Sequence, residues 1–226
     1  MIKLTKIYFV RHCEATGNLN RTFQGSTNTD ITELGAKQLE KLGERFSNIP
    51  LDKIYTSPLM RAQKTAFAIK GDRNIEIEVL NSITELDGGI IEGKPIDISF
   101  TEHPDLKDAW FNHPHDFAPQ NGEAMRDAYK RIENAFFELV AKHKGETIAC
   151  TSHGGIIRCL ECRILYNDIT KLKQVTLFDN TAICLFEIDD DGNITFKLSN
   201  DSSHLTPDLI RQTARPSKFL QAEGSK

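Results

Sequence analysis

The residues best suited to chemistry lie at the ends of two short apolar stretches. Residues 7–10 (Ile-Tyr-Phe-Val) are followed at once by Arg11 and His12, and residues 147–151 shortly precede His153. Short apolar runs that end in polar residues are typical of buried strands. Ligands bind at the carboxyl ends of such strands in open α/β sheets. If both strands are central and parallel, the two imidazoles emerge at the same edge of the sheet.

The same edge is predicted to combine positive charge with backbone donors. Gly154 and Gly155 follow His153, and a helix predicted from Ile156 would point its N-terminal amides into the same crevice. Arg61 lies one turn into the helix that follows another predicted strand, so it can reach this edge too. Arginine and histidine side chains beside a helix N-terminus favour an anion, and we interpret the cluster as a phosphate pocket.

Predicted strands and helices alternate along the chain, which favours an α/β fold. Thr32 is a candidate N-cap for one helix, and Pro58 is placed at the first position of another. Residues 52–55 and 75–80 are predicted strands, the second of them at an edge, and residues 123–144 form a long amphipathic helix. This order predicts a three-layer α/β/α sandwich around a mainly parallel sheet.

Turn residues interrupt the alternation between about residues 88 and 121, where Pro and His are frequent. We expect a small lid insertion there, with Trp110 either packing the lid or shaping an apolar substrate pocket. Residues 15–30 are polar and are expected to form a functional loop. The whole chain, residues 1–226, is predicted to be one domain, with a C-terminal tail from about 205 to 226 that docks or frays.

Composition limits the class of partner. The 226 residues carry a net charge of −4 with no block of Lys or Arg, so no nucleic-acid partner is expected. No apolar run is long enough for a signal peptide or a membrane span. The five Cys, an odd number, indicate reduced thiols in the cytosol. We therefore expect a cytoplasmic protein without a membrane partner.

Four motifs resemble those of the histidine phosphatase superfamily, the phosphoglycerate-mutase-like group. In chain order they are Arg11-His12-x-Glu14 with Asn18, Gln24-Gly25 and Asp30-Ile-Thr-x-x-Gly35; Ser57-Pro58-x-x-Arg61-Ala62; Glu85-x-x-x-Gly89-x-x-Glu92-Gly93; and Ser152-His153-Gly154-Gly155. Four motifs in this order are specific, although any one alone would be weak. The resemblance is to the phosphatase branch, which includes broad-specificity and α-ribazole phosphatases, and it implies the α/β/α fold with a lid.

The resemblance also implies a role for each matched residue. His12 matches the nucleophile that becomes a phosphohistidine. Glu85 matches the proton donor to the leaving alkoxide, which then serves as the base for the attacking water. The cationic cage around the phosphate is matched by Arg11, Arg61 and His153. Substrate contacts are matched by Asn18, Gln24, Gly25 and Gly154.

The chemistry of the side chains agrees with these roles. A nucleophilic imidazole must be neutral at the attacking nitrogen, so the other ring nitrogen of His12 needs an acceptor, which we expect to be a backbone carbonyl. Glu85 needs a raised pKa to donate a proton near neutrality, and burial beside a phosphate dianion would raise it. Arg11, Arg61 and His153 can neutralise the equatorial oxygens, so neither a metal nor another cofactor is expected.

Cys13 departs from the family pattern, because Gly usually follows the nucleophilic histidine. We expect its sulfur to point into the core, as the sulfur of free Cys commonly does. One alternative is a redox-sensitive thiol that the local positive charge activates. The other is a loss of activity, because Gly provides backbone freedom and room beside the phosphate.

Other clusters are weaker candidates for chemistry. Cys159 and Cys162 have the spacing of a metal or redox pair, but without a second pair we expect two half-buried thiols on one helix face. His103, His113 and His115 in the lid could bind a metal, but a solvated or substrate-facing surface is favoured. A serine hydrolase is disfavoured because the chain has no Gly-x-Ser-x-Gly nucleophile elbow.

We predict a metal-independent phosphomonoesterase that acts on a small phosphorylated metabolite through a phosphohistidine. The first alternative is a cofactor-dependent phosphoglycerate mutase, although mutases of this resemblance usually have a longer insertion between the third and fourth motifs. The second is a catalytically weak phosphate-binding or regulatory module, with Cys13 as its signature. Sugar phosphates, phosphoglycerates, nucleotide-derived phosphates and ribazole phosphate all stay open as substrates. The sequence also leaves open a monomer or a homodimer.

Overall fold

A computed structural model of the protein describes residues 4–211 and is built around one six-stranded sheet. The strands are β1 (Thr5–Arg11), β2 (Lys53–Thr56), β3 (Ile77–Val79), β4 (Thr147–Ser152), β5 (Ile183–Ile188) and β6 (Ile194–Asp201). Their order across the sheet is β3-β2-β4-β1-β5-β6. The first four strands in this order are parallel, and β5 and β6 run antiparallel to their neighbours. The mainly parallel sheet that the sequence predicts is therefore confirmed.

The register of β1 and β4 places the two polar strand ends at the same level. Arg11 is opposite Ser152, so His12 and His153 leave neighbouring strands side by side. β1 is also paired with β5 on its other side, which makes it a central strand. The sheet thus brings together two histidines that are far apart in the sequence.

Helices cover both faces of the sheet. They are α1 (Thr16–Leu19), α2 (Glu33–Phe46), α3 (Met60–Lys70), α4 (Ile96–Glu102), α5 (Pro104–Asn112), α6 (Met125–Lys142) and α7 (Gly154–Tyr166). Alternate residues of β1 enter different cores: Ile7 and Phe9 pack with α6 and α7, whereas Tyr8 and Val10 pack with α2 and α3. Because successive side chains of a strand point to opposite faces, an apolar run buried on both sides requires two covering layers. The α/β/α sandwich is confirmed.

Three local predictions differ from the structure. Pro58 is not the first residue of α3, because Leu59 keeps an extended backbone and acts as the N-cap. The helix predicted from Ile156 already begins at Gly154, since small residues there accommodate the close packing of its first turn. Residues 15–30 are mostly irregular but contain the short helix α1. The N-cap prediction is confirmed, because the hydroxyl of Thr32 accepts the N–H of Gly35.

The segment 88–121 folds as α4 and α5 between single turns of 3₁₀ helix at Gly89–Ile91 and Pro114–Asp116. Its aromatic side chains pack on one another: the ring centroid of Trp110 lies 4.9 Å from that of Phe117 and 5.6 Å from that of Phe23. Phe117 is fully buried, so these rings form the core of the lid. The packing interpretation of Trp110 is confirmed, and through Phe23 the lid contacts the loop after α1.

The first part of the predicted tail docks on the body of the protein. The amide of Gln38 donates to the carbonyl of Leu209 at 2.8 Å, and Arg211 forms an ion pair with the buried carboxylate of Glu14. Residues 212–226, which complete the tail, lie outside the described residues. Between residues 4 and 211, no helix combines the length and the apolar character that crossing a membrane requires.

Candidate active site

Two buried histidines form the centre of the site. The ring centroids of His12 and His153 are 5.1 Å apart, and the two side chains are 3% and 0% exposed. Both pKa values are held well below the ordinary value, first by burial and then by the charges of Arg61 and Arg11. Two neutral imidazoles at a positively charged strand edge are suited to receive a phosphoryl group.

The tautomer of His12 is fixed by its own backbone neighbour. Its Nδ1 lies 2.6 Å from the carbonyl oxygen of Cys13. A carbonyl can only accept a hydrogen bond, so Nδ1 carries the proton and Nε2 keeps its lone pair. This confirms the backbone acceptor that the sequence analysis expects. Nε2 is therefore the ring nitrogen of His12 whose lone pair is available to a ligand.

The backbone of His12 is held by residues that the sequence analysis missed. Its carbonyl accepts the side-chain amide of Asn180 at 3.1 Å and the N–H of Thr181 at 3.3 Å. Thr181 is fully buried and has a φ of 58°, a left-handed conformation that is costly for a β-branched residue. Its hydroxyl donates to the carbonyl of Asn180 at 2.7 Å, a bond that accompanies this conformation. The structure therefore holds a strained turn against the nucleophile.

His153 presents one ring nitrogen without a partner. Its Nε2 lies 2.7 Å from the hydroxyl of Ser57, while its Nδ1 is buried and has no hydrogen-bond partner within residues 4–211. Buried polar atoms are nearly always satisfied, so an orphaned nitrogen next to His12 indicates a place for a ligand atom.

Arg61 holds a loop as well as facing the site. Its side chain is fully buried, and its two terminal nitrogens donate to the carbonyls of Thr27 at 2.7 Å and Gly25 at 3.0 Å. Its Nε is buried and has no partner in the described part of the chain. Burial lowers the pKa of Arg61 to about 10, and the carboxylates of Glu85 and Glu92 oppose that shift. The guanidinium stays charged at neutral pH and keeps one N–H for a ligand.

Arg11 is arranged in a similar way. One terminal nitrogen donates to the carbonyl of Phe178, and the Nε is buried without a partner among the described residues. Gly154 lies directly against it, because a Cβ there would come within 3.2 Å of the Arg11 Nε. Gly154 thus allows the guanidinium to pack against the N-terminus of α7.

Glu85 lies at the N-terminus of α7. One carboxylate oxygen accepts the N–H of Gly155 at 3.0 Å, and the other accepts the N–H of Leu86 at 3.0 Å. Burial raises the pKa of Glu85 above the ordinary value, although these bonds and the charges of Arg61 and Arg11 oppose the shift. The amide of Gly155, expected to face an anion in the crevice, is therefore used to hold the carboxyl group.

Of the predicted substrate contacts, Gln24 and Gly25 lie in the loop whose carbonyls Arg61 contacts, and Asn18 lies in α1. The side-chain oxygen of Asn18 accepts the N–H of Ala15 at 3.0 Å, and that of Gln24 accepts the hydroxyl of Thr29 at 2.5 Å. These bonds orient both amides and leave their NH₂ groups without a described partner. Gly25 has a packing role as well, because a Cβ there would lie 2.1 Å from the carbonyl oxygen of Leu86.

Glu92 is a further residue, after Asn180 and Thr181, whose role was not assigned from the sequence. Its carboxylate accepts the N–H of Gly25 at 2.9 Å, the N–H of Thr27 at 2.9 Å and the N–H of Gly88 at 2.8 Å. The loop 24–27 is therefore held by Arg61 on its carbonyls and by Glu92 on its amides. The available signal was the place of Glu92 in the third motif.

The thiol of Cys13 is fully buried, and burial raises its pKa to about 12. The expectation that the sulfur lies in the core is confirmed. Activation by nearby positive charge is contradicted, because the charge of Lys64 lowers the pKa by less than burial raises it. Cys159 and Cys162 are both fully buried, so the expectation of half-buried thiols was wrong.

The lid histidines do not form a metal site. His115 interacts with Asp116 at 3.3 Å, but no group of three or more His, Cys, Asp or Glu side chains within residues 4–211 could hold a metal ion. The metal interpretation of the lid is therefore wrong.

The fold and the site define a class of α/β enzyme with two buried histidines and two arginines at the carboxyl ends of its strands. The model of the histidine phosphatase superfamily (branch 1) matches residues 7–202, and the chain belongs to this superfamily. The chain is 30% identical to phosphoserine phosphatase 1 of Hydrogenobacter thermophilus over 202 residues. The matched region covers 89% of this chain and 95% of that protein. The resemblance to the phosphatase branch is confirmed.

Two solved structures are similar over most of both chains. YhfR of Bacillus stearothermophilus is 31% identical with a TM-score of 0.84, covering 88% of this chain and 98% of its own. A phosphoserine phosphatase from Entamoeba histolytica in complex with 3-phosphoglyceric acid is 27% identical with a TM-score of 0.77. The match covers 89% of this chain and 100% of that one. The protein is a phosphatase of small phosphorylated metabolites, a phosphoric monoester hydrolase, as the sequence predicts.

Proposed function

We propose that the protein hydrolyses a phosphorylated hydroxy acid or hydroxy amino acid, with phosphoserine as the first candidate, through a phosphohistidine on His12. The observation that carries the reaction is a set of three orphaned buried nitrogens around His12. They are the Nε of Arg11, the Nε of Arg61 and the Nδ1 of His153. Three donors from three segments match the three equatorial oxygens of a transferring phosphoryl group.

In the first half-reaction the Nε2 of His12 attacks phosphorus. An N–P bond forms while the bond from phosphorus to the ester oxygen breaks, and the carboxylic acid of Glu85 gives its proton to the leaving alkoxide. The raised pKa of Glu85 supports this role, because a larger share of the group is protonated near neutrality. The lowered pKa of His12 keeps the attacking nitrogen unprotonated.

In the second half-reaction the carboxylate of Glu85 removes a proton from water as the water oxygen attacks the phosphohistidine. The N–P bond breaks, inorganic phosphate leaves, and both residues return to their starting states. Arg11 and Arg61 provide positive charge, and together with the neutral His153 they provide hydrogen bonds, in both halves. We propose that neither a metal nor another cofactor takes part, and that Asn18, Gln24 and Gly154 line the substrate position.

The substrate class is supported by the relatives. Phosphoserine phosphatase 1 is a 30% identical relative, and the Entamoeba histolytica phosphoserine phosphatase was solved with 3-phosphoglyceric acid. Phosphoserine and 3-phosphoglyceric acid are both small, and each carries a carboxylate near its phosphate. Other relatives bear the names phosphoglycerate mutase-like protein 4 and probable phosphoglycerate mutase GpmB, each 28% identical. A mutase is therefore the alternative that the assay has to separate.

We further propose that residues 1–226 act as one cytoplasmic domain, as a monomer or homodimer, with the segment 88–121 as lid and 205–226 as tail. The five cysteines are all free and buried, which supports a reducing compartment. The aromatic packing of the lid against Phe23 supports one body. The only partner in this proposal is the small phosphorylated substrate, with no nucleic acid and no membrane.

The test is phosphate release from a panel in the presence of EDTA. We expect turnover of O-phosphoserine or 3-phosphoglycerate, an acid-labile phosphoenzyme trapped by quenching, and loss of both signals in His12→Ala. A mutase would instead interconvert 2- and 3-phosphoglycerate with bisphosphoglycerate and release little phosphate. Phosphate binding without turnover would support the catalytically weak module and overturn the proposal.

A further inference from the structure

Arg131 and Glu123 form a bidentate ion pair beside the segment that carries Glu85. Arg131 lies on α6, and its Nε and Nη2 donate to the two carboxylate oxygens of Glu123 at 2.7 and 2.6 Å. Its remaining terminal nitrogen, Nη1, donates to the carbonyls of Ser82 at 2.8 Å and Thr84 at 2.9 Å. The guanidinium therefore joins α6 to the backbone at Ser82 and Thr84, within the three residues that precede Glu85.

The same pair also holds the segment after Glu85. The backbone N–H of Glu123 donates to the carbonyl of Asp87 at 3.0 Å. From within the sheet edge, the hydroxyl of Ser152 donates to the carbonyl of Ile83 at 2.7 Å. Residues 84–88 belong to no strand or helix. Side chains therefore provide hydrogen bonds that backbone pairing with a neighbouring strand would otherwise provide.

We infer that Arg131 is a positioning residue for the general acid, held in its working orientation by Glu123. The inference rests on the proposed role of Glu85. Arg131 touches no reacting atom; it acts through the backbone of Ser82 and Thr84, which sets where the Glu85 side chain begins. Its planar fork donates to a carboxylate and to two carbonyls at once, which a lysine ammonium cannot do in one geometry.

The leaving group separates positioning of the acid from a general structural role. An aliphatic alkoxide needs a proton to leave, whereas p-nitrophenolate leaves without one. A displaced Glu85 therefore slows phosphoryl transfer from an aliphatic ester and leaves transfer from p-nitrophenyl phosphate largely intact. The ratio kcat/KM reports steps up to release of the leaving group, so it is the quantity to compare.

The experiment measures kcat/KM of the full chain for O-phosphoserine and p-nitrophenyl phosphate in Arg131→Lys and Arg131→Met. We expect a loss of about 10- to 100-fold for the aliphatic ester and less than about 3-fold for the aryl ester. Glu123→Gln should show the same selectivity with a smaller loss. If Arg131→Met does not fold, the inference is tested by Arg131→Lys alone, because lysine keeps the positive charge and the aliphatic part of the side chain.

The chain provides a matched control in an ion pair between α7 and α6. Arg163 pairs with Glu133 of α6 at 2.5 Å, and the side chains of this pair are 22% and 27% exposed. The side chains of Arg131 and Glu123 are 24% and 22% exposed. Neither Arg163 nor Glu133 has a hydrogen bond to residues 82–87 in the described structure. Arg163→Met should leave the ratio of the two kcat/KM values unchanged.

Equal losses on both esters, or no loss on either, would overturn the inference. Glu85→Gln separates that failure from failure of the proposed function. If Glu85→Gln selectively loses the aliphatic ester and the Arg131 variants do not, only the role of Arg131 is wrong. If Glu85→Gln shows no selectivity, the proposed acid role of Glu85 is wrong as well.

Discussion

His12, the proposed nucleophile, and Glu85, the proposed general acid, are held by different kinds of structure. His12 directly follows β1, whose backbone is paired with β4 on one side and β5 on the other. Glu85 lies in an irregular segment between the 3₁₀ turns Asn81–Ile83 and Gly89–Ile91, and side chains hold its backbone. Sheet hydrogen bonds are independent of residue type, whereas the bonds around Glu85 depend on particular side chains.

The two environments also shift the two pKa values in opposite directions. Burial and arginine charges lower the pKa of His12, and burial raises the pKa of Glu85. Each shift favours the neutral form, which is the reactive form for a nucleophilic imidazole and for an acid. Such divergence assigns the acid and the base of a site. The position of His12 is therefore robust, whereas the position of Glu85 can be changed by substitutions away from the site.

The largest effect is expected at the nucleophile. His12→Ala should reduce phosphate release by about 10⁴-fold or more, equally for aliphatic and aryl esters, because no phosphoenzyme can form. The substitution removes a side chain and leaves the bonds of its backbone to Ser152 and Asn180 in place. Steady-state kinetics and labelling with an alkaline quench, in which phosphohistidine is stable, test this, and a labelled phosphohistidine that survives in the variant would place the nucleophile elsewhere.

The pH dependence of kcat/KM tests the opposite pKa shifts of His12 and Glu85. The nucleophile is lost as pH falls through the lowered pKa of His12, which places the rising limb of kcat/KM below about 6.5. The acid is lost as pH rises through the raised pKa of Glu85, which places the falling limb above about 4.3. Glu85→Gln should lower kcat/KM for an aliphatic ester by about 10²- to 10³-fold and remove the falling limb. A falling limb that persists in Glu85→Gln belongs to another group.

A smaller effect is expected at Glu92, which holds the substrate loop by side-chain bonds. Gln would keep one acceptor oxygen and turn an NH₂ group toward the N–H of either Gly25 or Gly88. Loss of a charge-assisted bond costs about 1.5–3 kcal/mol. Glu92→Gln should therefore lower the melting temperature. KM should rise by about 10-fold and not more, because Arg61 still holds the carbonyls of the same loop.

Asp97→Asn is the control for Glu92, since Asp97 lies in the lid and pairs with Arg21 at 3.3 Å on the exposed surface. Exposed ion pairs contribute little, so neither KM nor the melting temperature should change in this variant. Equal behaviour of the Glu92 and Asp97 variants would argue against the role of Glu92 in holding the loop.

The part of the site at the ends of β1 and β4 could be predicted from sequence, because residues next to each other in the chain identify it. The apolar run of residues 7–10 predicts β1, and the polar residues that follow it are directly readable. The same holds for His153 after β4. Their meeting follows from one topological rule, that parallel strands end at the same edge.

The supporting residues could not be predicted, because their partners are distant in sequence. Asn180 contacts His12 only because β5 lies next to β1, an order that no local pattern fixes. Arg131 and Glu92 bond to backbone atoms of loops, and charged residues on a helix or in a turn usually indicate a solvated surface. The start of α3 was misplaced for a related reason: the hydroxyl of Ser57, just before Pro58, bonds to His153, which is 96 positions away in the sequence.

The smallest effect is expected at Cys13, where the family usually has Gly. The backbone groups of Cys13 hold its neighbours: the N–H donates to the hydroxyl of Thr65 at 3.1 Å, and the carbonyl accepts from His12. Cys13→Gly retains both groups, so kcat/KM should change by less than about 3-fold, or about 0.6 kcal/mol. The variant should be less stable by about 1 kcal/mol, since Gly has more backbone freedom when unfolded. Melting curves and kinetics measure both quantities. A large gain in activity in Cys13→Gly would mean that this thiol limits the nucleophile, and that even the position set by the sheet depends on a side chain.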